Sequence, residues 1–218
     1  MLSSPAATHP PPEFDAAFRA RLGELFAWRR DVRRFRADPV PTARLETLFE
    51  VAALAPSVGL SQPWRFVLVD DRERRAAVRG HFERTNTRAL AAQAPDRASR
   101  YAALKLEGLD TAPVQFAVYC EPDPEQGHGL GRMTMPETTL YSAVMAVHTL
   151  WLAARAEGLG LGWVSIVEPA AMAGILEVPD HWTLIGYFCL GYPAAEGETP
   201  ELERLGWETR RASQVLRR

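Results

Sequence analysis

Lysine is almost missing from this chain. Lys105 is the only one in 218 residues, so 24 of the 25 basic side chains are arginine. GC-rich coding produces such a bias, so the number of arginines says little and their placement carries the weight. Cysteine is scarce as well. Cys120 and Cys189 each lie in an apolar run that reads as a strand, which suits buried free thiols in a reducing, cytoplasmic compartment. No CxxC pair occurs and the five histidines show no ligand spacing, so no metal site is expected. The net charge of -2 gives no electrostatic footprint for nucleic acid. Long hydrophobic runs are missing too. The longest, Leu140 to Ala154, is interrupted by Ser142, His148 and Thr149 and falls short of the ~20 apolar residues of a membrane span, so no membrane partner is expected. Residues 1–13 are small, polar and proline-rich without an apolar core. They read as a disordered tail and not as a signal peptide.

Hydrophobic residues make up 47% of the chain and charged residues 24%, enough for one soluble domain spanning 14–218. Phe14 to Trp28 and Thr42 to Ala53 carry apolar side chains at helical spacing. Trp64 to Val69, Val114 to Cys120, Leu161 to Val167 and Leu184 to Leu190 read as strands. Arg72 to about His81 is a charged helix, and Phe82 to Leu104 reads as helical pieces forming a flap. Thr134 and Glu137 look like a capping box opening a helix that ends at Gly158. The middle of that helix is apolar nearly all round (Leu140, Val144, Met145, Val147, Leu150, Trp151), so it must be covered on every side, by its own sheet and by a second subunit. A short helix, Pro169 to Leu176, follows. The expected class is α+β, with helices around a central mixed or antiparallel sheet.

The sharpest local signal is Arg29-Arg30-Asp31-Val32-Arg33-Arg34-Phe35. Five of these seven residues are charged and four are arginines, directly after a helix. Guanidinium groups offer planar forks of donors that do not titrate, so the cluster reads as an anion site, although any one arginine alone would read as a solvated helix end. Asp31 is either a salt-bridge partner or a chemical group. Ser57 and Gln62 lie in a turn stiffened by Pro56 and Pro63 and loosened by Gly59. That turn either presents polar groups to a planar heterocycle or simply joins a helix to a strand. Ser165 lies within the otherwise apolar strand Leu161 to Val167 and needs a neighbouring backbone group or a ligand. No histidine near it suggests a nucleophilic triad. Gly158-Leu159-Gly160-Leu161-Gly162 follows a helix and opens a strand, the reverse of a dinucleotide loop. Gly206 to Arg211 carries Trp207, Arg210 and Arg211 and reads as either a docking tail or a surface helix.

Together these pieces resemble the FMN-dependent nitroreductase family, whose marks are an Arg-Arg-x-Val-Arg segment after the first helix, a Gln-Pro-Trp segment before the first strand and a Leu-Gly-Trp strand after a long central helix. They stand here at Arg29 to Arg33, Gln62 to Trp64 and Leu161 to Trp163. Within the family the chain is similar to the 5,6-dimethylbenzimidazole synthase branch, most specifically in the pair Asp31 and Ser165. Ordinary nitroreductases usually carry serine in place of Asp31. Leu60 departs from the family's frequent asparagine and is given no polar role.

The resemblance implies an interlocked homodimer with FMN at the interface. Arg29, Arg30 and Arg33 would hold the phosphate and ribityl chain, with Asp31 and Val32 among them, and Arg210 would reach the phosphate. Ser57 and Gln62, from the second subunit, would touch the isoalloxazine, with Leu109 and Ser165 near the ring. Reduced FMN would be the substrate and O2 the co-substrate, giving 5,6-dimethylbenzimidazole and erythrose 4-phosphate. Asp31 would act as the base and Ser165 as a hydrogen-bonding partner. A separate flavin reductase would supply reduced FMN. Two other readings share the fold: an NAD(P)H-dependent FMN reductase of nitroaromatics or quinones, and a flavin-binding module without turnover.

Overall fold

The computed structural model describes residues 10–94, 101 and 107–218. Residues 1–9 of the expected tail lie outside them, as do 95–100 and 102–104 of the expected flap.

Helix α1 is Ala16–Trp28, capped by the Asp15 carboxylate, which accepts the Phe18 N–H at 2.7 Å. Helix α2 is Thr42–Ala52, and a short 3₁₀ turn at Val58–Leu60 leads into β1, Trp64–Leu68. Then come α3 (Arg72–Ala91), α4 (Gly108–Thr111), β2 (Val114–Cys120), α5 (Thr138–Ala156) and β3 (Gly160–Val164). The remaining elements are α6 (Pro169–Leu176), β4 (Thr183–Gly191) and α7 (Glu201–Arg204).

The four strands lie in the order β1-β2-β4-β3, every neighbouring pair antiparallel. β2 is buried along its whole length because both faces of the sheet are covered. Alternate residues divide between two cores. Val114, Phe116 and Val118 join Leu48, Val147, Leu150, Trp151 and Phe188 under α2 and α5. Ala117 and Tyr119 face the other way, with Val78, Phe82, Leu109, Met172 and Tyr187 under α3 and α6. Stacking of Phe116 on Phe188, ring centroids 5.4 Å apart, ties the central strands on the first face.

Three expectations are corrected. The charged helix does not stop near His81; α3 continues to Ala91 because Val78 and Phe82 join the core under α3 and α6 and the buried His81 accepts the Glu168 N–H, which carries the polar sequence beyond it. Thr134 and Glu137 form no capping box. The long helix begins at Thr138, and the Thr138 and Thr139 hydroxyls donate back to Met135 O and Pro136 O instead. The strand expected to reach Val167 ends at Val164, so Ser165 stands beyond it and is exposed.

Candidate active site

Segment 29–35 leaves α1 and runs along the free edge of β3. The Val32 N–H donates to Leu161 O at 3.0 Å, and Asp31 forms a parallel bridge with Leu161. The glycines of β3 make this approach possible. A Cβ on Gly162 would stand 2.1 Å from Val32 O, and one on Gly160 would stand 2.5 Å from Val32 Cγ2. Gly158, at φ +72, ends α5 one turn earlier. The glycine run is thus a helix stop followed by a seat for the arginine segment.

The cluster is held from beneath by a tryptophan that the sequence pattern marked only as an apolar helix residue. The Trp151 indole N–H donates to Arg30 O at 3.0 Å, and the Arg29 guanidinium lies 4.9 Å from the Trp151 ring centre. An indole N–H in an apolar helix must find a partner, and that requirement was the available signal. Burial lowers the pKa of both Arg29 and Arg30, and the charge of Arg210 lowers both further. Arg210 therefore acts on the same place from the far end of the chain. Arg30 Nε and Nη2 are buried with no hydrogen-bond partner among the described residues. Cationic donors left unpaired there suit a phosphate.

Asp31 is fixed from two sides. Its Oδ1 accepts the Trp163 N–H at 2.8 Å and its Oδ2 lies 3.7 Å from Arg33 Nε. The side chain keeps 38% of its surface open, and that part lines two clefts. Burial raises the carboxyl's pKa; the Trp163 N–H and the Arg33 and Arg29 charges oppose this, and Glu201 adds to it. Glu201 itself pairs with Arg34 at 3.0 Å, and no sequence spacing signalled its place beside the cluster.

One of the two clefts, of about 200 Å³, brings Asp31 and Arg33 together with Ser165, Trp163, Phe82, Asn86 and Tyr101. The expected pair Asp31 and Ser165 therefore shares one space. Asn86 and Tyr101 were not foreseen: the Tyr101 hydroxyl donates to Asn86 Oδ1 at 2.9 Å, and the Tyr101 ring meets Trp207 edge-on at 6.2 Å. Trp207, from the segment read as either a docking tail or a surface helix, thus reaches a residue of the cleft. Leu109 is buried in the core under α3 and does not line this cleft.

Ser57 and Gln62 lie elsewhere in the chain. Their turn precedes β1, at the opposite edge of the sheet from β3, about three strand spacings or ~14 Å away. Ser57 Oγ accepts the Gln62 N–H at 3.1 Å, so the two are neighbours, remote from Asp31 within one protomer.

Residues 26–192 match the model of the nitroreductase family. The chain belongs to that family. It falls in the 5,6-dimethylbenzimidazole synthase branch: it is 55% identical to the synthase of Rhodospirillum rubrum over 95% of this chain and 98% of that one. A 5,6-dimethylbenzimidazole synthase of Rhodobacter capsulatus is 47% identical over 89% of this chain and 94% of its own length. Among solved structures, oxidised iodotyrosine deiodinase bound to FMN and 3-iodo-L-tyrosine superposes with a TM-score of 0.71 over 90% of this chain and 97% of that chain. At 23% identity that likeness is one of fold. No helix among the described residues is long and apolar enough to cross a membrane.

Proposed function

We propose that this protein is a homodimeric 5,6-dimethylbenzimidazole synthase that fragments reduced FMN with molecular oxygen, releasing erythrose 4-phosphate. The observation that carries the reading is the meeting of Asp31 and Ser165 in one cleft beside the arginine segment, in a chain 55% identical to a synthase of that name.

The residues fit the flavin's phosphate. Arg29, Arg30 and Arg210 supply the cationic donors, and Nε and Nη2 of Arg30, without a partner among the described residues, are the groups a phosphate satisfies. Bound reduced FMN supplies the electrons for oxygen and the carbon skeleton of the product. Asp31 takes up the proton whose loss accompanies cleavage of the ribityl chain. Its raised pKa suits a base that must also return the proton. Arg33 and the Trp163 N–H hold the carboxylate in place, and Ser165 offers a hydroxyl across the same cleft. Phe82, Tyr101 and Ile166 give that cleft apolar surface against which a flavin can pack, and a bound flavin would displace water from it. A reductase that returns its flavin intact needs no base at this place.

Dimerisation is supported by two observations. Ser57 and Gln62 lie at the opposite edge of the sheet from Asp31, so a second chain that brings its own turn to the site accounts for their part in it. The chain also exposes the apolar surface such a partner would cover: Phe18 is 45% exposed, Phe26 48%, Tyr141 55% and Met145 44%. A protein that consumes its flavin at each turnover must be fed, so a separate flavin reductase supplies reduced FMN.

Absorbance after chemically reduced FMN is mixed with the protein in air tests this reading. Lasting loss of the flavin spectrum, in proportion to oxygen used, is expected. Full return of the oxidised spectrum would assign the protein to the reductases or flavin binders.

A further inference from the structure

Gln126 stands in the loop between β2 and α5 and reaches across to the turn that carries Ser57 and Gln62. Its amide nitrogen donates to Leu60 O at 2.6 Å and to Gln62 Oε1 at 3.1 Å. Both residues it grips have left-handed backbone, Leu60 at φ +56 and Gln62 at φ +43. Side chains other than glycine keep that conformation only when the surroundings hold it. The two loops interlock at their glycines. A Cβ on Gly127 would stand 2.7 Å from Gly59 O, and one on Gly59 would stand 3.1 Å from Gly127 O.

The consequence falls on the Gln62 amide. Its oxygen faces a donor, so it cannot exchange places with its nitrogen without setting one N–H against another. Its nitrogen already donates to Ala53 O at 3.2 Å. What remains for a ligand is the second N–H of Gln62, a donor of fixed direction. We propose that Gln126 is a positioning residue: it locks the Gln62 side chain so that this N–H is presented to a hydrogen-bond acceptor on the isoalloxazine of FMN. The inference rests on the reading that Gln62 meets the flavin across the dimer.

The test is a double-mutant cycle on the full chain, read by the dissociation constant of oxidised FMN and by the visible band of bound flavin. Gln126→Glu keeps the shape but sets a carboxylate against two acceptor oxygens. Gln126→Ala removes the donors without adding charge and carries the test if the glutamate variant does not fold. Gln62→Ala removes the group being positioned. Each single variant is expected to weaken FMN binding about tenfold, the worth of one hydrogen bond, and to shift the flavin band alike. The double variant is expected to bind no worse than Gln62→Ala. Losses that multiply in the double variant, or wild-type binding in both Gln126 variants, overturn the proposal while leaving Gln62 in the site. So does loss of the dimer on light scattering in the Gln126 variants. Wild-type binding by Gln62→Ala removes Gln62 from the flavin and the proposal with it.

Discussion

The carboxylate of Asp31 accepts the backbone N–H of Trp163 at 2.8 Å, so the one acid in the arginine cluster is built into the edge of the sheet. The hydrogen bond fixes Oδ1 and leaves Oδ2 to Arg33 and to the cleft shared with Ser165. A carboxylate whose direction is set by backbone, and whose open side faces a cavity, is placed to handle a proton.

Its protonation follows from its surroundings. Burial raises the Asp31 pKa, against the Trp163 N–H and the charges of Arg33 and Arg29. A carboxyl whose folded pKa lies above its unfolded one stabilises the fold below the unfolded value, and that contribution is lost as pH rises through the folded value. In the ligand-free protein at neutral pH, ionised Asp31 is therefore a cost. Asp31→Asn is expected to melt no lower than the parent at pH 7, with any gain shrinking as pH falls toward ~4, the ordinary range for aspartate. Melting curves at both pH values check this; a variant several degrees less stable at pH 7 would show that the Arg33 pair outweighs burial.

Arg30→Ala is expected to weaken FMN binding by about 1.5–3 kcal/mol, the worth of hydrogen bonds to a charged group. The motive is its buried Nε and Nη2, which have no hydrogen-bond partner among the described residues. Arg29→Ala is expected to fall in the same range, since Arg29 stacks on Trp151 in the same cluster. Arg36, exposed and already paired with Asp38 at 2.8 Å, is the control that should change nothing. Fluorescence titration with FMN decides, and equal affinities for Arg30→Ala and Arg36→Ala would remove Arg30 from the site.

Anion binding should also be visible without flavin. Burial and the charge of Arg210 lower the pKa of Arg29 and Arg30, so an anion at that place relieves a strain of like charges. Inorganic phosphate is expected to raise the melting temperature above that in chloride at equal ionic strength, by mass action on the folded state. The increment should vanish in Arg30→Ala. An increment that persists there would place the phosphate elsewhere.

Light scattering is expected to give twice the chain mass, and Met145→Glu to give a monomer that binds FMN poorly. Met145 and Tyr141 lie one turn apart on the exposed face of α5, where a charge would have to be buried in the interface. A stable parent monomer at micromolar concentration would contradict the two-chain site.

Much of this arrangement was legible in the sequence because it is local. Helical spacing found α1, α2 and α6, and apolar runs found the strands; β2 agreed residue for residue. The arginine cluster stood out because four arginines in seven residues need an anion or an acid. What escaped was tertiary. The length of α3 depends on Phe82 joining the core and His81 accepting the Glu168 N–H, which outweighs the polar sequence after them. Asn86, Tyr101 and Glu201 reach the site from distant segments, with no spacing to announce them. Ser165 read as a strand residue because its neighbours are apolar, whereas it lies just past the strand, open to the cleft. The family resemblance already puts Ser57 and Gln62 on the second subunit; strand order supplies the physical reason, setting them at the opposite edge of the sheet from Asp31.

The central claim is that Asp31 performs the fragmentation, apart from flavin binding and oxygen reduction. Chromatography of aerobic incubations with chemically reduced FMN, parent beside Asp31→Asn, tests it most directly. The amide is close in size and keeps an acceptor for the Trp163 N–H, yet cannot take a proton at neutral pH. The parent is expected to yield 5,6-dimethylbenzimidazole. The variant is expected to bind FMN and consume oxygen, return oxidised FMN with hydrogen peroxide, and form the benzimidazole ~10²–10⁴-fold more slowly, the usual cost of a lost positioned base. Benzimidazole from Asp31→Asn at the parent's rate would contradict the account and move the proton transfer to another group of the cleft, Ser165 first.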